Sequence, residues 1–226
     1  MKPMRLTLFD LDNTLLSGDS DYGWGQFAVR HRLVDPESYE ARNAEFYADY
    51  RAGRLDQFAY LEFCLEPLTH RTLDELEAWH RRFMQETIEP MMTHAGRALV
   101  AERLDSGDVV AIITSTNTFI TGPIARAYGI PHLIASEAEM QAGRYTGKVV
   151  GIPAFREGKV ARLEQWLRER RQSLGDFSET WFYSDSINDL PLLQVVSHPV
   201  AVDPDEALRR IATGRGWPVI SLRDPK

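Results

Sequence analysis

Leu6-Thr7-Leu8-Phe9-Asp10-Leu11-Asp12-Asn13-Thr14-Leu15 is the stretch on which the fold turns. Four residues without polar alternation run straight into two carboxylates. A short run of this kind reads as a strand buried on both faces, as in a parallel sheet, with its charged end at the sheet edge. Working outward, Val109–Ile113 ends in Thr114-Ser115, and Thr180–Tyr183 ends in Ser184-Asp185, in the same manner. Weaker strand signals lie at 132–135, 199–202 and 218–222. Helical stretches at 119–128, 157–170 and 204–212 separate them; Val160, Leu163 and Leu167 share one face of the second. Asp203-Pro204 supplies an N-cap acceptor and a first-turn proline. Gln141-Ala142-Gly143-Arg144, inside Glu139–Gly151, has the chemistry of a hairpin turn. The alternation predicts an α/β fold, a doubly wound and mainly parallel sheet with helices on both faces.

One interval breaks the alternation. Ser17 to His94 is rich in helix formers and aromatics, among them Trp24, Phe27, Tyr39, Phe46, Tyr47, Tyr50, Phe58 and Tyr60. Asp35-Pro36 opens a helix ending near Gly53, and Thr72-Leu73-Asp74-Glu75 has capping-box spacing. The expected division is a core of 1–16 and 95–226 with a helical cap of 17–94, and most of the cap aromatics form its own interior.

Bulk composition narrows the function. The 226 residues are 43% hydrophobic and 26% charged, with a net charge of −7, which suits a soluble domain with an ordinary core. The acidity argues against nucleic acid as a partner, since a phosphate backbone needs clustered Lys and Arg. The single cysteine, Cys64, permits no internal disulfide and reads as a buried apolar residue, consistent with a cytoplasmic protein. Met1–Arg5 lacks the character of a secretion signal, and no apolar run approaches the roughly 18 residues of a membrane span.

The chemistry gathers at the strand ends, where parallel sheets place their ligands. Asp10 and Asp12 follow the first strand, Thr114 and Ser115 the second, and Asp185, Asn188 and Asp189 the third. Three carboxylates converging on one point repel each other unless a cation lies between them. Hard oxygen donors in an incomplete shell suit Mg²⁺.

These residues resemble the four motifs of the haloacid dehalogenase (HAD) superfamily. Asp10-Leu11-Asp12-Asn13-Thr14 is similar to its DxDxT signature, and Thr114 to the Ser or Thr of its second motif. Lys159 stands where its third motif has a lysine, and Ser184-Asp185-Ser186-Ile187-Asn188-Asp189 resembles GDxxND, with Ser184 in place of glycine. The resemblance implies a Mg²⁺-dependent phosphatase acting on a small-molecule phosphate monoester. Asp10 would be the nucleophile, forming an aspartyl-phosphate. Asp12 would be the general acid and base. Thr114 would donate to a phosphate oxygen, and Lys159 would hold that group and Asp10. The metal would lie on Asp10, the Asp12 carbonyl and Asp185, with Asn188 and Asp189 orienting the metal shell and Lys159. A second aspartate at Asp12 separates phosphatases and phosphotransferases from the dehalogenases. A phosphotransferase or phosphomutase uses the same aspartates and stays open as an alternative; a silent binding protein would have lost one of them.

The lid between the first and second motifs resembles the C1-capped branch that includes phosphoserine phosphatases. There, an acidic residue at the position of Asp19 meets the substrate amine. Two other features of that branch are missing: Ser115-Thr116 replaces a Gly-Gly pair, and Tyr60 stands where an arginine meets the substrate carboxylate. Arg42, Arg51 and Arg54 read as solvated helix-face residues. A larger amino-phosphate without a carboxylate, histidinol phosphate for example, is therefore the expected substrate, met by Asp19, Tyr22, Trp24, Ser115 and Thr116. The six histidines show no metal-ligand spacing.

Overall fold

The structure is a computed structural model, and it describes residues 4–224. Met1–Pro3, on which the reading of the N-terminus partly rests, lie outside the described residues.

Seven strands form one sheet: β1 (Arg5–Phe9), β2 (Val109–Asn117), β3 (His132–Gln141), β4 (Arg144–Val150), β5 (Glu179–Ser184), β6 (His198–Val202) and β7 (Val219–Ile220), in the order β4-β3-β2-β1-β5-β6-β7. All neighbours are parallel except β3 and β4, which make the expected hairpin. The helices are α1 (Ser20–Arg30), α2 (Pro36–Arg51), α3 (Gln57–Leu65), α4 (Leu73–Phe83), α5 (Glu89–Met91), α6 (His94–Asp105), α7 (Thr118–Ala127), α8 (Glu157–Glu169), α9 (Leu190–Leu193) and α10 (Glu206–Arg215). Among the described residues none is long and apolar enough to cross a membrane.

β1 shows why the sheet is buried on both faces. Leu6 and Leu8 pack with Ile113, Leu163, Leu167, Phe182 and Leu192 on one side. Phe9 joins Val110, Ile112, Ile120 and Tyr183 on the other. The one polar residue inside β1, Thr7, is fully buried and donates to Asp108 Oδ2 at 2.8 Å, so its hydroxyl is satisfied. β2 and β5 flank β1, and the order reverses there, which opens a crevice beyond its C-terminal end.

The chain leaves this crevice and returns to it side by side. Leu16 bridges Met92, and Ser17 N donates to Met91 O at 2.8 Å. Between these points the backbone is helical. Asp35 caps α2 through Ser38 N, and Thr72 with Glu75 completes the expected capping box on α4. This insertion shares its apolar interior with the sheet layer beneath it: Trp24 packs edge-on to Phe119, ring centroids 5.1 Å apart, and His80 Nε2 lies 3.1 Å from Ile120 O.

Candidate active site

β1 delivers Asp10 to the crevice while its backbone is still tied to the sheet, Asp10 N donating to Tyr183 O at 2.9 Å. The chain then reverses through Asn13, whose φ of 57° is the left-handed conformation that asparagine tolerates better than most residues. Thr14, fully buried by this turn, places its hydroxyl between two carboxylates, 3.2 Å from Asp10 Oδ2 and 3.1 Å from Asp185 Oδ1, and accepts from Asp185 N at 3.0 Å. On the far side of Asp10, Lys159 Nζ donates to Asp10 Oδ1 and to Asp189 Oδ2, each at 2.7 Å. Burial presses the Lys159 ammonium toward neutrality, but the two carboxylates outweigh it and hold the proton well above its ordinary range.

Ser184, in the place of the glycine, is not a neutral change. Its hydroxyl donates to Asp189 Oδ2 at 2.6 Å and accepts from Ser186 N, so it fixes the carboxylate that fixes Lys159. Lys159 itself is presented by the first turn of α8. The residue before that helix, Arg156, has φ 51° and ψ −122°, a region normally left to glycine. It is held there with its Nε on Asn188 Oδ1 at 3.0 Å and its guanidinium over the Phe155 ring.

The carboxylates are pushed upward together. Asp185 rises to about 8, through burial first and then the charges of Asp10 and Asp189. Asp189 rises to about 6 through burial, against the pull of Lys159, and Asp12 rises to about 6 through burial and the charge of Asp19. Such a set asks for a cation. Among the described residues no three His, Cys, Asp or Glu side chains group so as to enclose a metal by themselves. Two carboxylates bridged by one threonine instead fit an ion that keeps several waters, which is the habit of Mg²⁺.

Asp12 belongs to the wall as much as to the floor: its Oδ1 accepts from Ser20 N at 2.6 Å, at the start of α1, and its Oδ2 from Thr116 Oγ1 at 2.8 Å. The cavity above has a volume of about 770 Å³ and is walled by α1, α2 and α3 of the insertion. Asp19, Tyr22, Ser115 and Thr116 line it, as do Phe46, Tyr47, Tyr50 and Tyr60. Arg42 and Arg54 are turned elsewhere, to Glu66 and Asp49, at 3.0 and 2.9 Å.

Two expectations are corrected, at Trp24 and Asn188. Trp24 does not reach the cavity: it is 2% exposed and locked among Phe27, His80, Phe83 and Phe119. Thr114 is buried, its hydroxyl accepting from Thr116 N at 3.2 Å and keeping its own proton to donate. The pairing of β2 with β3 slips between Ile113 and Asn117, which breaks the alternation and gives the lining positions to Ser115 and Thr116. Asn188 does not brace Lys159. Its amide donates to Tyr50 OH at 3.1 Å while its oxygen takes Arg156, so it joins α2 to the loop before α8. One residue that sequence reasoning passed over lines the cavity as well: Asp21, whose Oδ2 lies 3.5 Å from Thr116 Oγ1 and whose buried Oδ1 has no hydrogen-bond partner.

The model of the haloacid dehalogenase-like hydrolase family matches residues 7–194, which spans every strand-end motif described above. The chain belongs to that family, and its relatives place it among the phosphatases. It is 46% identical over 220 residues to a histidinol-phosphatase of Neisseria meningitidis serogroup C (strain 8013), covering 97% of this chain and 99% of that one. It is 31% identical to phosphoserine phosphatase SerB1 of Mycobacterium tuberculosis (strain ATCC 25618 / H37Rv), over 98% of this chain and 73% of that one. A crystal structure of a protein of unknown function from Bordetella pertussis Tohama I superposes with a TM-score of 0.94 at 48% identity, covering 98% of this chain and all of the other.

Proposed function

We propose that this phosphatase is Mg²⁺-dependent, works through an aspartyl-phosphate on Asp10, and takes a small amino-phosphate, histidinol phosphate being the best candidate. The observation that carries the reading is the Lys159 ammonium held at 2.7 Å between Asp10 and Asp189 on the floor of an otherwise acidic cavity. That contact keeps the buried Asp10 an ionised nucleophile although burial pushes its carboxyl up. It also leaves a cation beside the position a phosphoryl oxygen would take.

Asp10 Oδ attacks phosphorus, and the ester oxygen leaves with a proton from Asp12, which is held near the pH where it both gives and takes one, at about 6. Asp12 then takes a proton from the water that attacks phosphorus, and the Asp10 carboxylate is restored as phosphate departs. Asp10, Asp185 and the Asp12 main-chain carbonyl would hold Mg²⁺, which when bound neutralises charge on the phosphoryl group. Thr114 and Ser115, near the end of β2, donate hydroxyl protons to phosphate oxygens. Residues 17–94 act as a cap whose movement admits substrate and releases product, with Asn188–Tyr50 as one of the contacts across its edge. Similarity to the histidinol-phosphatase and the acidic wall at Asp19 support the choice of substrate.

The test is phosphate release from a panel of phosphoserine, histidinol phosphate, sugar phosphates and nucleotides, with Mg²⁺ and with chelator. Metal-dependent release from histidinol phosphate well above the rest is the expected result. Release that ignores chelator would sink the metal assignment, and a preference for phosphoserine would sink the substrate.

A further inference from the structure

The cavity lining is lopsided in charge. Asp10, Asp12, Asp19, Asp21, Glu40, Asp185 and Asp189 all line it, and Lys159 is the single lysine or arginine that does so among the described residues. Lys159 is already engaged by Asp10 and Asp189, and the floor carboxylates are the natural place for a divalent ion. That accounts for the floor but not for the wall. Asp19 has a local role, its carboxylate accepting from Tyr22 N at 2.9 Å to cap α1.

Asp21 has none of comparable strength. Its Oδ1 is shut off from solvent with no donor, and its Oδ2 has only the long 3.5 Å approach of a Thr116 hydroxyl that is already committed to Asp12 at 2.8 Å. A helix does not need this residue for capping, since Asp19 fills that position. A carboxylate with one oxygen shut off and unpartnered and the other only weakly met is costly, and persists where something else supplies the charge. Tyr22, Tyr50, Tyr60 and Phe46 line the same cavity, and their ring faces suit a flat or cationic group, while the donors beside them for a carboxylate are neutral hydroxyls and the amides of Gln26, Asn43 and Gln57.

Resting on the phosphatase reading, we infer that Asp21 is a specificity-determining residue that receives a positively charged group of the substrate, so that the substrate class is phosphate monoesters whose organic part carries an ammonium or imidazolium and no carboxylate. The floor then handles the phosphoryl group and the wall selects the cation. A second negative group on the substrate would meet a wall of carboxylates and neutral side chains, with Lys159 already engaged and no arginine lining it among the described residues.

The test separates binding from turnover by using full-length Asp10→Asn protein in Mg²⁺. Titration calorimetry compares 2-aminoethyl phosphate with propyl phosphate, which has a methyl group in place of the ammonium. The Asp10→Asn protein should prefer the amine. Adding Asp21→Asn should cut that preference by about 10- to 100-fold, the scale of one charged hydrogen-bonded contact, and Asp21→Glu should retain part of it. A preference unchanged by Asp21→Asn overturns the assignment, and no preference in the parent overturns the substrate class. Asp21→Asn removes a buried charge without a partner, so it should melt no lower than the parent; the Asp21→Glu protein gives an independent reading of the same contact. Wild-type protein assayed for phosphate release reports on the phosphatase reading separately: no turnover with an intact, Asp21-dependent amine preference would sink that reading and leave the binding assignment standing.

Discussion

On the cavity floor each charged side chain is tied to another. Lys159 holds Asp10 and Asp189, Ser184 holds Asp189, and one Thr14 hydroxyl lies between Asp10 and Asp185. On the wall contributed by the insertion the ties thin out: Asp21 has an oxygen without a partner, and Tyr22, Tyr47 and Tyr50 are 58%, 60% and 45% exposed. The floor stands on strand ends inside a sheet covered on both faces, the wall on helices outside it. Electrostatic preorganisation belongs where charge develops on a group common to all substrates. Adaptable aromatic surface belongs where the substrates differ. On the proposed function a single cavity contains a fixed half for chemistry and a softer half for choice, and each substitution below is aimed at one half to see whether the other follows.

The largest effect should come from the floor. Asp10→Asn should lower phosphate release on the order of 10⁴-fold or more, because it removes the nucleophile of the proposed covalent step. Its melting temperature should stay close to that of the parent, since an amide occupies the same volume. Retention of most of the rate would refute the assignment of Asp10. Lys159→Met comes next. It takes away the cation beside the transferring group, at a cost of about 10²- to 10³-fold in kcat. It also leaves Asp10 and Asp189 buried without their partner, which should destabilise the fold by about 3–5 kcal/mol, read from urea unfolding. If activity fell while stability held, Lys159 would be an active-site cation and not the tie that unites the floor.

How much of this was legible depends on which half is considered. The floor could be read because its residues follow buried strands directly: Asp10 and Asp12 after Leu6–Phe9, Asp185 and Asp189 after Thr180–Tyr183, and Lys159 at the start of a helix with an apolar stripe. A period of two and the rule that parallel sheets bind at their C-terminal edge are enough for that. The errors fall where a rotation or a tertiary contact decides. The register slip in β2, which turns Ser115 and Thr116 together to the cavity, leaves no composition signal. Trp24 and Tyr22 look equivalent along the chain, but two residues is a half-turn and more of helix, so one faces the rings of Phe83 and Phe119 and the other the cavity. Asp21 has no sequence signal beyond an acidic residue in the first turn of a helix, where the dipole favours negative charge. Its burial comes from α2 and α3 folding over it. Burial and then the charge of Asp21 hold the Tyr60 phenol and the Cys64 thiol well up, which marks how close those helices come.

The metal gives a third, intermediate test, and its sign follows from the raised carboxylates. Asp185 at about 8, and Asp12 and Asp189 at about 6, bind protons more tightly in the folded chain than the ordinary value near 3.8. Their contribution is therefore complete below pH 4 and is lost as pH rises through 6 to 8. In chelator the melting temperature should fall by several degrees between pH 5 and pH 8. Mg²⁺ should restore it at pH 8 and do much less at pH 5, where protons already occupy the oxygens. A melting curve indifferent to Mg²⁺ at pH 8 would break the floor's claim to be a metal site.

The smallest expected effect lies at the seam between the two halves. Tyr50 OH accepts from Asn188 Nδ2 at 3.1 Å, and Asn188 also takes Arg156, whose strained backbone precedes the helix that presents Lys159. Tyr50→Phe removes one hydrogen bond in a partly solvated place, worth about 0.5–1.5 kcal/mol. If this contact helps hold the cap against the floor, its loss favours the open form by that amount, so KM should rise about 2- to 10-fold. The effect on kcat has the opposite sense: where product release limits turnover, kcat should hold or rise, because opening becomes easier. Steady-state kinetics on histidinol phosphate, beside a melting curve to show that the fold is intact, separates the two. A rise in KM with kcat held or raised assigns Tyr50 to the seam. A drop in kcat with KM unchanged would mean that the phenol acts on the floor through Asn188 and Arg156, and that the two halves are coupled more closely than their hydrogen bonds suggest.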